Sequence, residues 1–342
     1  MAQQRILIVD DVPENIDVLG SALANYKRSV ALSGEKALQR AMSDAPPDLI
    51  LLDVMMPGMD GYEVCRRLKA DARTRDIPVI FVTARGEVED ETLGFALGAV
   101  DYITKPISAP IVQARVKTHL MLKLAREKIQ QEQALSERLL LNILPKPVAD
   151  RLKQGEKIIA DDYAEITVLF ADIVGFTATS ARMKPDRMIA MLNQVFSVCD
   201  QLAEKHGLEK IKTIGDAYMV VGGLPQPRID HAQAVAEMAL DMQREITALT
   251  DDAGQPLAIR IGIATGPAVA GVIGSAKFSY DVWGDTVNTA SRMESHGCAG
   301  RIQVTAAVYE RLRDKYRFES RGVIQIKNKG DMLTYFLIGG QG

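Results

Sequence analysis

The stretch Leu208-Glu209-Lys210-Ile211-Lys212-Thr213-Ile214-Gly215-Asp216-Ala217-Tyr218-Met219-Val220-Val221 decides how the second half of this chain folds. Two short strand-like runs, Leu208 to Thr213 and Ala217 to Val221, are joined tightly through Ile214 and Gly215, the glycine supplying the turn of a hairpin. Upstream, Glu165 to Ala171 reads as a strand, Gly175 as a turn and Asp186 to Lys205 as a long helix. Downstream, His231 to Leu249 has helical period, and Ala258 to Ala264 reads as a further strand. The order is β-α-β-β-α-β, a split unit whose first strand lies beside the central hairpin. Asp172, ending that strand, and Asp216, in the hairpin turn, then stand side by side. Two converging carboxylates suit a divalent cation that serves a polyphosphate.

The first 120 residues follow another rhythm. Short apolar runs at Ile6 to Val9, Leu49 to Leu52, Val79 to Val82 and Val100 to Ile103 alternate with helical patterns such as Val18 to Leu23, Glu35 to Met42 and Tyr62 to Leu68. Alternation of this kind predicts a parallel sheet with helices on both faces, whose chemistry gathers at the carboxyl ends of the strands. Asp10, Asp11, Asp53, Thr83 and Lys105 all fall at such ends. Three carboxylates, a hydroxyl and a lysine suit one Mg²⁺ and a phosphoryl group: Asp10 and Asp11 hold the metal, Asp53 is the nucleophile, and Lys105 offsets the added negative charge.

Between these halves, Ile111 to Leu144 contains no Gly or Pro and is rich in Leu, Lys, Arg, Glu and Gln, which predicts one long helix ended by Pro145 and Pro147. Leu122, Ala125, Ile129, Leu139 and Ile143 fit a heptad seam interrupted by Glu132 and Ser136, the pattern of an imperfect coiled coil.

Composition narrows the function classes. At 342 residues and 47% hydrophobic the chain is long enough for two cores. A net charge of -3 with both signs interspersed gives no basic stripe for nucleic acid. Three scattered cysteines, Cys65, Cys199 and Cys298, support neither a disulfide framework nor a zinc site. No apolar stretch of spanning length occurs, so we expect a cytoplasmic protein with no membrane partner.

Two resemblances add to this reading. Ile8-Val9-Asp10-Asp11, Leu51-Leu52-Asp53-Val54-Met55-Met56-Pro57-Gly58, Val82-Thr83-Ala84 and Asp101-Tyr102-Ile103-Thr104-Lys105-Pro106 resemble the receiver domain of bacterial response regulators. The resemblance implies phosphorylation of Asp53 by a sensor histidine kinase or phosphotransfer protein, a switch through Thr83 and Tyr102, and a cis peptide before Pro106. Phe170-Ala171-Asp172-Ile173-Val174-Gly175-Phe176-Thr177, Lys212-Thr213-Ile214-Gly215-Asp216, Arg260-Ile261-Gly262-Ile263-Ala264-Thr265-Gly266 and Tyr280-Asp281-Val282-Trp283-Gly284-Asp285-Thr286-Val287-Asn288-Thr289-Ala290-Ser291-Arg292 resemble the catalytic domain of class III nucleotide cyclases, animal-type subclass.

That second resemblance implies two Mg²⁺ or Mn²⁺ per site on Asp172, Asp216 and the Ile173 carbonyl. It assigns Asn288 to the ribose, Arg292 to the α-phosphate and Lys327 to the β and γ phosphates. Lys212 and Asp281 would read the base: lysine donates to adenine N1 and the carboxylate accepts from the exocyclic amine, whereas guanine is mismatched and guanylate-making relatives carry Glu and Cys. In the family the metal-binding acids and the nucleotide-binding residues of one site come from opposite subunits, which implies a homodimer. The expected architecture is a flavodoxin-like doubly wound receiver over residues 1–120, a helical linker over 121–157 and a ferredoxin-like cyclase domain over 158–342. The expected activity is ATP to 3′,5′-cyclic AMP and pyrophosphate. A guanylate cyclase and a catalytically silent, phosphorylation-responsive interaction module are the alternatives.

Overall fold

The computed structural model describes residues 4–84, 88–181, 183–251, 254–274, 277–327 and 329–341, with the side chains of 88–91, 177 and 178 left aside. The chain divides into two units, residues 1–136 and 137–342.

In the first unit, β1 (Arg5–Val9), α1 (Pro13–Ala22), β2 (Lys27–Ala31), α2 (Gly34–Ala41), β3 (Leu49–Asp53), α3 (Gly61–Ala70), β4 (Val79–Thr83), α4 (Val88–Ala96), β5 (Asp101–Thr104) and α5 (Ala109–Leu141) succeed one another. The five strands are parallel in the order β2-β1-β3-β4-β5. Strands buried on both faces need uninterrupted apolar runs, and β3 has one: Leu49, Ile50, Leu51 and Leu52 are all fully buried. Leu7, Val9, Ile50 and Leu52 join one core, and Ile6, Ile8, Leu49 and Leu51 join the other. The apolar runs at residues 6–9, 49–52, 79–82 and 100–103 become β1, β3, β4 and β5. Sequence reading lacked β2, whose Lys-Arg-Ser-Val-Ala has the polar start of an edge strand.

The long helix α5 runs 33 residues without a break, about 50 Å at the usual rise. Val112, Val116 and Leu120 are buried in the core of the first unit, and beyond them Leu122, Leu124, Ile129, Leu135 and Leu139 are exposed. The expected end at the prolines needs correction. The helix stops at Leu141, and Pro145 and Pro147 open a second one, α6 (Lys146–Lys153), with Pro145 as its N-cap. Proline fits there because the first helical turn has no use for its missing N–H.

The second unit continues with β6 (Ala160–Ile173), α7 (Phe176–Ser180), α8 (Pro185–His206), β7 (Glu209–Ile214), β8 (Ala217–Gly222), α9 (His231–Thr247), β9 (Ile259–Ile273), β10 (Ser279–Trp283), α10 (Asp285–Ser295), β11 (Ile302–Thr305), α11 (Ala306–Leu312), β12 (Tyr316–Ile326) and β13 (Gly330–Gly340). They build one sheet in the order β12-β13-β11-β9-β6-β8-β7, with β10 paired to the far part of β9. The two-residue period of β6 sorts its side chains. Leu169, Ala171 and Ile173 enter the core under α8 and α9, whereas Ile166, Val168 and Phe170 meet Leu144, Val148 and Ala149 around α6. Among the described residues no helix is long and apolar enough to cross a membrane.

Candidate active site

In the first unit the carboxyl ends of β1 and β3 bring Asp10, Asp11 and Asp53 together, with one ligand oxygen from each inside 4.8 Å of the others. Asp10 is fully buried and Asp53 nearly so. The Lys105 ammonium, just past β5, lies 3.2 Å from Asp10 Oδ2 and 3.0 Å from Asp53 Oδ1. Burial pushes the Asp53 carboxyl above its ordinary pKa, and Asp10 and Asp11 add to this while Lys105 opposes it. Burial works against the charge of Lys105 as well, yet the bonds and charges of Asp53 and Asp10 raise its pKa. A hard cation matches this oxygen-only donor set. Thr83 and Tyr102 line one small cavity with Val54 and Phe81. The Arg115 guanidinium lies 5.5 Å from the Tyr102 ring centre. The Lys105–Pro106 peptide is cis, as the receiver resemblance implies; Leu224–Pro225, also cis, was not anticipated.

In the second unit Asp172 ends β6, opposite Ala217 of β8 and Arg260 of β9. Asp216 occupies the β7–β8 turn, which Gly215 makes with φ +64°. The two carboxyls are within hydrogen-bonding reach, and Asp172 is pushed up to about 6 by burial first, then by the charges of Asp216 and Glu294, against the pull of Arg260. Two acids forced together at this cost fit a site made for a divalent cation. The buried Ile173 follows directly, placing a backbone carbonyl next in the chain.

The Asp172 carboxylate already has a cationic neighbour. Arg260 Nη2 donates to Asp172 Oδ2 at 3.0 Å, and Arg260 Nε donates to Glu294 Oε1 at 2.7 Å. Glu294 is only 8% exposed and belongs to α10. The helix comes this close because β9 has a glycine beneath it: a Cβ on Gly262 would stand 1.9 Å from the Glu294 nitrogen. Sequence reading quoted Arg260 in a motif and gave it no role, and passed over Glu294. Both matter through a contact between elements 34 residues apart, which no local pattern announces.

Lys212 of β7 and Asp281 of β10, both expected to read the base, are joined directly by an ion pair. Asp281 Oδ1 also accepts from the Val282 backbone N–H at 2.8 Å, which fixes the carboxylate. Asn288 and Arg292 are one helical turn apart on α10. The buried stripe of that helix is Thr286, Thr289, Ala290, Met293 and Glu294, and at 3.6 residues per turn Asn288 and Arg292 fall on the opposite side. They face away from the element that holds Asp172. Lys327 is exposed in the β12–β13 turn. Its neighbour Lys329 reaches back to α10, 2.9 Å from Thr289 Oγ1 and paired with Asp285.

Residues 158–339 match the family model described as the adenylate and guanylate cyclase catalytic domain, and residues 6–117 match that of the response regulator receiver domain. The chain belongs to the adenylate and guanylate cyclase family and carries a receiver domain ahead of its catalytic domain. It is similar to an adenylate cyclase of Mycobacterium bovis, 52% identical over 216 residues, 63% of this chain and 49% of that one; it thus spans about half the length of that relative. The guanylate cyclase domain of RhGC from Catenaria anguillulae, in complex with GTP, is 38% identical with a TM-score of 0.52, covering 53% of this chain and all of that domain. The catalytic core of a rhodopsin-guanylyl cyclase with converted specificity, in complex with ATPαS, is 39% identical with a TM-score of 0.51, covering 53% of this chain and 98% of that core.

Proposed function

We propose that this protein is an adenylate cyclase, converting ATP to 3′,5′-cyclic AMP and pyrophosphate, whose output is set by phosphorylation of Asp53. The observation that carries the choice of substrate is the Lys212–Asp281 pair. Its donor and acceptor lie side by side as the N1 and exocyclic amine of adenine require, and guanine offers neither match. The relative at 52% identity is an adenylate cyclase. A guanylyl cyclase core with converted specificity that holds ATPαS fits a choice of base resting on few side chains.

Asp172 and Asp216, with the Ile173 carbonyl, would hold two Mg²⁺ or Mn²⁺ ions, and the receiver acids Asp10, Asp11 and Asp53 one Mg²⁺. In the catalytic site such ions supply a lowered pKa for the ribose 3′-hydroxyl and offset the charge of the departing pyrophosphate. The protein's own groups do the rest. Asn288 orients the ribose, Arg292 donates to the charge growing on the α-phosphate, and Lys327 holds the β and γ phosphates. In the receiver, Thr83 and Tyr102 answer the phosphoryl group that a histidine kinase or phosphotransfer protein delivers. Because Asn288 and Arg292 face away from the carboxylate pair of their own chain, we place them in the site of a second copy. The working protein is then a symmetric homodimer with a ferredoxin-like catalytic unit, dimerised in part by a coiled coil along the exposed part of α5, within the linker over residues 121–157. The exposed Leu122, Ile129 and Leu139 supply the seam, while Ile143, expected in it, falls in the turn after α5.

The test is a turnover assay of the full chain with Mn²⁺ and either ATP or GTP. Cyclic AMP as the main product supports the reading, cyclic GMP replaces it with the guanylate alternative, and no product with either nucleotide leaves the silent module.

A further inference from the structure

Glu294 is a nearly buried carboxylate to which the proposed mechanism gives no task, yet it lies one residue away from Asp172 through a shared guanidinium. Arg260 divides its planar fork between the two, Nη2 on Asp172 and Nε on Glu294. We propose that Glu294 is a positioning residue of the catalytic metal site: it anchors and neutralises Arg260 so that Asp172 stays available to a divalent cation. This inference rests on the cyclase reading of Asp172 and Asp216.

A cation arriving at Asp172 meets the positive guanidinium that is already there. Arginine stays charged at any working pH, so the only relief is a second anion within reach of the same fork. Glu294 is that anion, and its position is fixed. It sits on the buried stripe of α10, and Gly262 lets that helix lie directly on β9, the strand that carries Arg260. As a cation takes Asp172, the guanidinium keeps a full carboxylate partner without leaving its place. Without the charge of Glu294, Arg260 has Asp172 as its sole anionic partner among the groups bonded to it here. Its own charge is then uncompensated beside the metal.

Glu294→Gln keeps the size and an acceptor for Arg260 Nε while removing the charge, and Glu294→Asp keeps the charge. Mn²⁺ binding to the full-length protein is read from the electron paramagnetic resonance of free Mn²⁺, with 3′-deoxy-ATP present so that no cyclisation occurs, and the binding that remains in Asp172→Ala, on the receiver acids and the free nucleotide, is subtracted. The expected result is an Mn²⁺ dissociation constant about tenfold weaker in Glu294→Gln, as loss of one nearby charge implies, with Glu294→Asp within about threefold of the parent. Equal weakening in both variants, or none in Glu294→Gln, overturns the proposal.

A second arm separates positioning from a merely structural role. Chains carrying Asp172→Ala and Arg292→Ala are combined into a heterodimer with one intact site, whose acids come from the Arg292→Ala chain. Glu294→Gln should raise the Mn²⁺ concentration needed for half-maximal turnover when placed on the chain that supplies the acids, and leave it unchanged on the other. Equal effects from either chain mean that Glu294 merely supports α10, which overturns the proposal. If the heterodimer with Glu294 intact is inactive although it forms, the shared-site reading fails, and the Mn²⁺ titration of the homodimer still decides on Glu294.

Discussion

The two acidic sites of this molecule solve the same problem in different ways. The receiver gathers Asp10, Asp11 and Asp53 around Lys105, so acids and counter-charge come from the carboxyl ends of strands in one small unit. The cyclase unit gathers Asp172 and Asp216, sets Arg260 between Asp172 and Glu294, and carries Asn288 and Arg292 on the outward side of α10. On the proposed reading the first site is complete in one chain. On that reading the second is divided, with Asn288 and Arg292 offered to a second copy. An acidic pocket of one chain can be switched by a small covalent event, whereas a divided one can be switched by how its halves meet.

The largest effect expected from breaking this contrast is loss of turnover. Asp172→Ala should remove detectable cyclase activity, and Arg292→Ala should cost about 10²–10³ in kcat. Mixed one to one and allowed to exchange, the two dead chains should recover about a quarter of parental activity, since half the dimers are mixed and each has one good site. The corresponding receiver experiment should recover nothing. Acyl-phosphate labelling of a mixture of Asp53→Asn and Lys105→Ala chains should equal the sum of the two alone, and any excess would dissolve the contrast.

A step smaller, the double change Lys212→Glu and Asp281→Cys should move the preferred substrate from ATP to GTP, read as the ratio of kcat/KM for the two nucleotides. Smaller again is a pH effect on stability. Asp172 goes from 3.8 to about 6 on folding. The native state therefore binds this proton more tightly, and its contribution to the stability of the metal-free protein should be lost as pH rises from about 4 to 6. Asp172→Asn should lessen the slope, to which Glu209 and Asp53, also raised by burial, contribute with the same sign, and raise the Tm at pH 7 by about 2–4 °C, the shift that roughly 1 kcal/mol gives a unit of this size. By the same sign, protons should compete with the activating cation below about pH 6. The smallest effect belongs to Lys329→Ala, whose partner Asp285 is largely exposed; it should cost under about 1 kcal/mol in a denaturant midpoint.

Much of this was legible in the chain itself. The hairpin of β7 and β8 follows from a glycine between two strand-like runs, and the receiver acids from their place after apolar runs. The unread parts share a physical cause. Strand β2 lies at a sheet edge and carries charge where a central strand carries Val or Ile. Strand β9 runs to Ile273, past the expected end at Ala264, because Gly266, Pro267, Gly271 and Gly274 look like breakers. At Gly271 the missing side chain is what lets Ile159 approach, its carbonyl 2.2 Å from where a Cβ would be. Arg260 and Glu294 became a pair only when α10 settled on β9, and Lys329 met α10 only through the turn after β12.

The Lys212–Asp281 pair has a consequence for ancestry. Each residue is the other's partner as well as, on the proposed reading, the nucleotide's. Replacing either one first leaves a charge facing the wrong neighbour before any new base is read. A lineage drifting between the two cyclic nucleotides must therefore cross a state that serves neither well, so substrate preference in this chain should be inherited stubbornly and should change, when it does, by two substitutions close together in time.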